Sequence, residues 1–247
     1  MKLGTVVTAV NDNPAYWRFV PLFIKRWKAL FPEIVVHIVF IGSALPEALS
    51  PWSAHITVYD PPKGLNTAYV AQIIRLVWPS LIKSSDLAMI TDMDMIPMSR
   101  HYYEAAARWI MPNEFASLRP PVNEKEYAMC YIMAHPAIWS EVFGIKTKAD
   151  IDEFLLQHYN NDYDGKHGGQ AWTTDQEVLY NAIMATSVPL RIFTDNELGY
   201  MRLEFWDFAY NKDMLKSLIH MSNIYSDCHL ASVVCPWSMQ DVLDISN

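Results

Sequence analysis

Short apolar runs and longer amphipathic segments alternate along the first half of the chain. Four runs are rich in Val, Ile and Leu and have the length of buried strands. Between them, apolar positions recur at helical spacing, and polar or Pro-containing stretches separate the two kinds of segment. The predicted strands are 5–10, 34–41, 56–59 and 87–91, and the predicted helices are 19–30 and 67–82, the second with a bend near Pro79. Strands and helices in this order predict an α/β fold with a parallel sheet.

The second half of the chain has a less regular pattern. The predicted elements are a helix at 99–110, strands at 127–134 and 190–193, and a helix at 174–185. Ser99 is expected to cap the first of these helices, and Thr174 and Glu177 have the spacing of a capping box for the second. We find no repeat, low-complexity tract or linker, so residues 1–247 are predicted to form a single domain.

Composition and charge narrow the class of protein. Hydrophobic residues make up 51% and charged residues 19% of the chain, which is typical of an ordered globular domain. The formal net charge of −8 argues against binding to nucleic acid or to an anionic membrane. The chain has 3 cysteines without a CxxC pair and no apolar run as long as a membrane span. These features predict a soluble protein of a reducing, cytoplasmic compartment, and they leave the oligomeric state open.

The segment LAMITDMDMIP, residues 87–97, carries the clearest chemical signal. Asp92 and Asp94 follow directly after a predicted buried strand. Ligands of open parallel sheets bind beyond the carboxyl ends of the strands, and two close carboxylates there repel each other unless a cation lies between them. Oxygen ligands suit Mg²⁺ or Mn²⁺, and such a cation can bridge two phosphate oxygens. The alternative is a solvated acidic turn.

Four landmarks occur in a fixed order around this DxD motif. Arg75 lies on the predicted helix before the DxD strand, and the segment TAVNDNPAY forms the first strand and its loop. The segment TDQEVLYN lies further along the chain, and His229 is followed by Pro236-Trp237. In order and spacing, these landmarks resemble those of glycosyltransferase family 8, whose members include galactosyl- and glucosyltransferases and glycogenin. The resemblance spans nearly the whole chain.

The resemblance implies a GT-A (Rossmann-like) nucleotide-diphospho-sugar transferase fold and a metal-dependent glycosyltransferase. The expected donor is a nucleotide diphosphate sugar, most readily a UDP-sugar, and the expected acceptor is a hydroxyl of a carbohydrate or glycoconjugate. Mn²⁺ or Mg²⁺ would be the cofactor. The implied metal ligands are Asp92, Asp94 and His229; the implied donor-binding residues are Thr8, Ala9, Val10, Asp12, Arg75, Asp92 and Met93; the implied catalytic residues are Asp175, Gln176 and Arg75.

The chain also departs from the family pattern. Ser232 and Cys235 replace the Gly and the phosphate-binding Lys of the C-terminal signature, and Ala128-Met129-Cys130 replaces an Asn-Ala-Gly motif. Several residues have simpler explanations as well. Arg75 could form a structural ion pair with the DxD aspartates, and Asp175 could be an acid favoured by the helix dipole. Among the tryptophans, those near polar loops are the candidates for stacking on a sugar, namely Trp172, Trp206 and Trp237.

Two other functions compete with glycosyl transfer. A phosphatase of the haloacid dehalogenase type also ends a strand in DxD and would use Asp92 as its nucleophile. That motif normally follows the first strand, whereas here three predicted strands precede it. A non-catalytic carbohydrate-binding module is the second alternative, and the aromatic content of 13% permits it. Such a module would bind sugar without nucleotide or metal.

Overall fold

A central sheet of seven strands forms the frame of the molecule. The computed structural model describes residues 1–208, 211–221, 224–231 and 234–246. Its strands are β1 (Leu3–Asn11), β2 (Val35–Ile41), β3 (Ile56–Tyr59), β4 (Leu87–Ile90), β6 (Phe115–Ser117), β7 (Ile132–Ala134) and β8 (Leu190–Ile192). The sheet has the order β3-β2-β1-β4-β7-β6-β8, and it is parallel except where β7 pairs with β4 and β6. The predicted α/β class is therefore confirmed.

Helices cover both faces of this sheet. They are α1 (Pro14–Trp17), α2 (Val20–Leu30), α3 (Thr67–Val77), α4 (Arg100–Trp109), α5 (Pro136–Phe143), α6 (Lys148–Gln157), α7 (Thr174–Met184), α8 (Asp195–Leu198), α9 (Lys212–Met221) and α10 (Met239–Ser246). Side chains alternate between the faces, as the period of a strand requires. In β2, Ile38 and Phe40 join the core under α2, whereas Val39 and Ile41 join the core under α3. Most strand positions are apolar because both faces of the sheet are covered.

A second, smaller sheet joins the C-terminal part of the chain to the DxD segment. Strand β5 (Met95–Pro97) follows the two aspartates and pairs antiparallel with β10 (Asp227–His229), which pairs in parallel with β9 (Arg202–Glu204). The register places His229 opposite Met95. The sequence analysis predicted none of these three strands, because each is only three residues long and depends on partners far away in the chain.

The predicted helix at 99–110 is confirmed, with the Ser99 side chain accepting the Tyr102 backbone N–H. Two expectations about local structure are wrong. The strand predicted at 127–134 is reduced to β7, because residues Met129–Tyr131 form a 3-10 turn. The capping box is absent: Thr173 occupies the N-cap position of α7, and the Thr174 hydroxyl donates to the carbonyl of Ala171 instead. No helix in the described ranges is long and apolar enough to cross a membrane.

Candidate active site

A cavity of ≈ 310 Å³ opens beyond the carboxyl ends of β1 and β4. Parallel strands end at the same edge of a sheet, which is where open α/β sheets bind their ligands. The cavity lies between α3, the DxD turn, the start of α7 and strand β10. Its lining comprises Ala9, Val10, Asn11, Tyr16, Ala68, Ala71, Gln72, Arg75, Asp92, Met93, Asp94, Val122, Ala128, Met129, Cys130, His167, Trp172, Asp175, Gln176 and His229. The volume is that of a small-molecule site.

A tight turn carries the two aspartates into this cavity. Strand β4 ends at Ile90, and two residues later the Asp92 carbonyl accepts the backbone N–H of Met95 at 3.2 Å. Met93 is 3% exposed and belongs to the core beside the cavity. The Asp94 carbonyl accepts the Leu230 backbone N–H at 3.0 Å. Backbone contacts therefore fix the turn, and both Asp92 and Asp94 line the cavity.

Arg75 connects the DxD turn with the start of α7. Its Nη1 forms an ion pair with Oδ1 of Asp92, and its Nη2 lies 2.7 Å from Oδ2 of Asp175. The Arg75 side chain is only 12% exposed, and that of Asp175 only 3%. The structural ion pair considered for Arg75 thus exists with Asp92. The contact with Asp175 was not predicted, since the two residues are 100 positions apart in the chain. One guanidinium therefore balances two carboxylates.

Asp175 is the most deeply buried carboxylate of the cavity. Burial raises the pKa of the Asp175 carboxyl above its ordinary value, and the Arg75 guanidinium opposes this rise only in part. Its second oxygen accepts the backbone N–H of Gln176 at 2.9 Å. A carboxyl with a raised pKa inside a cavity is a common property of functional sites, although structural ion pairs produce it as well.

Asp175→Asn should change the pH dependence of stability. In the pH range between the unfolded pKa of about 4 and the raised folded pKa, the native state binds more protons than the unfolded chain. The free energy of unfolding of the unmodified protein should therefore fall as the pH rises through this range. The variant lacks this titration, so its stability relative to the unmodified protein should increase with pH.

Thermal melts of both proteins from about pH 4 upward measure this difference. Asp162→Asn is the matched control, since it removes an exposed carboxylate nearby in the chain. Parallel curves of Tm against pH for Asp175→Asn and the unmodified protein would contradict the prediction.

Three polar atoms near the centre of the site lack hydrogen-bond partners. They are Nε of Arg75 and the Oε1 atoms of Gln72 and Gln176, and all three atoms are buried. The residues that carry them line the cavity. The Gln72 amide is oriented by its Nε2, which donates to the carbonyl of Trp172 at 3.3 Å. Native proteins leave few buried polar atoms unsatisfied, so these atoms are consistent with a site that binds a polar ligand or water.

His229 reaches the cavity from β10. Its Nε2 lies 3.8 Å from Oδ2 of Asp94, and its Nδ1 lies 3.1 Å from Oε2 of Glu204. Across the described ranges, no group of three or more His, Cys, Asp or Glu side chains is arranged to hold a metal ion. Arg75 engages Asp92, so Asp94 and His229 are the two predicted ligands that face each other. The three-ligand site stays a prediction.

Four residues of the first strand and its loop were predicted to bind the nucleotide-sugar donor, and only two of them line the cavity. Ala9 and Val10 line the cavity, whereas Thr8 and Asp12 are not among the lining residues. Thr8 is fully buried within β1, and its hydroxyl lacks a hydrogen-bond partner. Asp12 is exposed, and its carbonyl accepts the indole N–H of Trp17 at 3.1 Å. Contacts of Thr8 and Asp12 with a nucleotide stay predictions.

The strand-end residue Asn11 lines the cavity and was missed by the sequence analysis. Its amide donates to the Thr67 hydroxyl at 3.1 Å, which ties the end of β1 to the first residue of α3. Tyr16, Gln72 and His167 were missed as well. The available signal was position alone: Asn11 ends the strand whose carboxyl end was predicted to bind the donor, and Tyr16 lies in the short helix after it.

The candidate sugar-stacking tryptophans occupy three different environments. Trp172 lines the cavity, with its ring 4.9 Å from that of His167. Trp237 is 4% exposed and belongs to the core, so it is not available for stacking. Trp206 is 66% exposed and is not among the lining residues. Only Trp172 retains its predicted role as a candidate.

The C-terminal signature also differs from expectation. Cys235 is buried, and its carbonyl accepts a hydrogen bond from the Arg18 guanidinium at 2.7 Å. Ser232 lies outside the described residues. Neither Arg18 nor Cys235 is among the residues that line the cavity.

The relation of the chain to known proteins is visible in its fold. The sequence matches no protein-family model, and it matches no curated protein. The structure is similar to that of the glycosyltransferase GlyE of Streptococcus pneumoniae, with a TM-score of 0.51, 12% identity and coverage of 100% of this chain. The apo form of GlyE gives a TM-score of 0.51 and 14% identity over 99% of this chain. This chain spans 60% of the length of GlyE.

The galactosyltransferase LgtC, solved in complex with donor and acceptor sugar analogues, is also similar. It has a TM-score of 0.49 and 12% identity, and the match covers 98% of this chain and 95% of LgtC. At these identities the likeness to GlyE shows the fold alone. The GT-A fold predicted from the sequence is confirmed.

Proposed function

We propose that this chain is a glycosyltransferase that moves a sugar from a nucleotide diphosphate sugar, most readily a UDP-sugar, to a hydroxyl of a carbohydrate acceptor, with the help of a divalent cation. One observation carries the proposal. Helix α3, the DxD turn, helix α7 and strand β10 bring a guanidinium, three carboxylates and an imidazole to one cavity at the carboxyl edge of a GT-A sheet.

The carboxylate and imidazole groups of this cavity are suitable ligands for Mn²⁺ or Mg²⁺. Asp94 and His229 supply a carboxylate and an imidazole whose facing atoms, at 3.8 Å, are too far apart for a direct hydrogen bond. Asp92 is the third proposed ligand, and it would share its carboxylate with Arg75. When bound, the cation would neutralise charge on the departing diphosphate. The lining contains three aspartates and one arginine, so the formal charge of the cavity favours cation binding.

The chain's own residues would have distinct roles. Arg75 would orient the donor and hold Asp92 and Asp175 at fixed positions. Asp175 would face the anomeric centre or the acceptor, and its raised pKa makes it a stronger base than an ordinary aspartate. Gln176 would offer its unpartnered Oε1 to a sugar hydroxyl. The family resemblance favours retention of configuration; if the reaction inverts, Asp175 is the proposed base.

The two competing functions are less well supported. A haloacid-dehalogenase-type phosphatase would need Asp92 as a free nucleophile, whereas Arg75 forms an ion pair with it. The GT-A fold of the chain also argues against this enzyme class. A carbohydrate-binding module would not need Arg75, Asp94 and His229 at one cavity. The thermal-shift experiment below distinguishes such a module from a glycosyltransferase.

A UDP-sugar should raise the melting temperature only when Mn²⁺ or Mg²⁺ is present. A ligand at about 100 Kd adds about 2.7 kcal/mol to the free energy of unfolding. For a domain of this size that increase corresponds to roughly 5–10 °C in Tm. The measurement is a thermal-shift screen of nucleotide-sugars with Mn²⁺ and with EDTA. Equal stabilisation in EDTA would contradict the role of the metal, and stabilisation by free sugars alone would favour a binding module.

A further inference from the structure

Strands β9 and β10 place two pairs of polar side chains in register. Their parallel pairing sets Arg202 beside Asp227 and Glu204 beside His229. Both pairs are in contact: Arg202 Nε lies 3.0 Å from Asp227 Oδ1, and Glu204 Oε2 lies 3.1 Å from His229 Nδ1. The residues between them, Leu203 and Cys228, are buried in the core. Because side chains alternate along a strand, the two polar pairs lie on the same face of the small sheet.

The Arg202–Asp227 pair holds the Glu204–His229 pair in place. Asp227 is completely buried, and Arg202 also donates to the Tyr131 hydroxyl at 2.8 Å. The Nη1 of the same guanidinium lies 3.6 Å from Oε1 of Glu204. One oxygen of the Glu204 carboxylate thus contacts Arg202, and the other contacts His229. Its position is fixed by a buried ion pair, although its side chain is 41% exposed.

The contact with Glu204 determines where the hydrogen of His229 resides. A carboxylate oxygen can only accept a hydrogen bond, so Nδ1 must carry the hydrogen in this contact. In a neutral ring the lone pair is then on Nε2, which is the atom that faces Asp94 across 3.8 Å. Two acceptor atoms that face each other in this way are suited to a cation between them.

We propose that Glu204 is a positioning residue for His229. It holds the ring in the Nδ1–H tautomer and directs the Nε2 lone pair toward Asp94 and the divalent cation. The role of the cation rests on the proposed function, whereas the effect of Glu204 on the tautomer does not. Partners of this kind fix the orientation of metal-binding histidines and increase their basicity. The sequence contains no local sign of the pair, since Glu204 and His229 are 25 positions apart.

The first test is the tautomer of His229 in the metal-free protein. Long-range ¹H–¹⁵N NMR at about pH 8, above the ordinary pKa of His, distinguishes the two tautomers of a neutral ring. The chain has 8 histidines, and His229→Ala identifies the resonance. The unmodified protein should show Nδ1–H. Glu204→Ala should lose this preference, whereas Glu204→Gln should keep it because the amide retains an acceptor oxygen.

The second test is the affinity for Mn²⁺, measured by the EPR signal of the free ion. Glu204→Ala should bind Mn²⁺ roughly 10–100-fold more weakly than the unmodified protein. Glu153→Ala, which removes an exposed carboxylate of α6, should leave the affinity unchanged. Thermal melts of all variants check that the fold is retained.

The outcomes separate this inference from the proposed function. If the unmodified protein does not bind Mn²⁺, the proposed function loses its metal, and the tautomer measurement still decides the role of Glu204. If Glu204→Ala keeps both the tautomer and the affinity, the inference is overturned. A loss of affinity without a change of tautomer would make Glu204 a ligand itself and would also overturn the inference.

Discussion

Asp94→Asn should lower the rate of sugar transfer by about a thousandfold, or about 4 kcal/mol in the barrier, because stabilisation of a leaving group by a metal is worth several kcal/mol. The substitution preserves the shape of the side chain and removes its charge. The turn should survive, since the Asp94 backbone carbonyl keeps its hydrogen bond from Leu230. Steady-state rates at saturating donor and Mn²⁺ measure the effect, and thermal melts confirm the fold.

Asp86→Asn provides the matched control at the other end of the same strand. Asp86 precedes β4 and forms a partly exposed ion pair with Lys2 at 3.4 Å, and it is not among the residues that line the cavity. Its substitution should leave the transfer rate unchanged, because exposed ion pairs contribute only about 0–1 kcal/mol. Full activity in Asp94→Asn would remove the DxD motif from the mechanism.

Arg75→Met should destabilise the protein by about 3–5 kcal/mol, since removal of one partner leaves the buried charge of the other uncompensated. Met fills a similar volume but cannot balance the carboxylates of Asp92 and Asp175. The destabilisation should be smaller when Arg75→Met is combined with Asp175→Asn, which removes the buried charge. Urea denaturation of the single variants and of the double variant measures these free energies and the coupling between the two sites.

Arg108→Met is the control for this experiment. The Arg108 side chain is 72% exposed and lies 3.8 Å from Glu104, so its loss should cost at most about 1 kcal/mol. A small effect of Arg75→Met, or a double variant that is no more stable than Arg75→Met alone, would show that Arg75 does not compensate a buried charge. The interpretation of the cavity as an electrostatically coupled site would then fail.

The contacts of Arg75 also balance part of the negative charge of the cavity. Asp92 and Asp175 come from different parts of the chain and would repel each other in a partly buried cavity. The guanidinium supplies the positive charge that both require. A cation bound between Asp94 and His229 would add a second positive charge to the same cavity, which matches the negative charge of a nucleotide diphosphate.

The local pattern of the sequence was sufficient for the first half of the fold. Strands β1 to β4 and helices α2 and α3 lie where the apolar periodicity predicted them. These elements are determined by side chains near in sequence, because a strand buried on both faces needs a continuous apolar run. The same reasoning located the end of β4, and therefore the DxD turn, before any tertiary contact was known.

The sequence by itself thus determined the α/β class, the central sheet and several of the cavity residues, including Arg75, Asp94 and Asp175. Only the tertiary structure decided how these residues are paired. The contacts of Arg75 with Asp175 and of His229 with Glu204 join residues 100 and 25 positions apart, so no local spacing encodes them. The buried position of Trp237 is likewise a result of long-range packing. Secondary structure follows from short-range periodicity, whereas the partner of a charged side chain depends on which elements the folded core brings together.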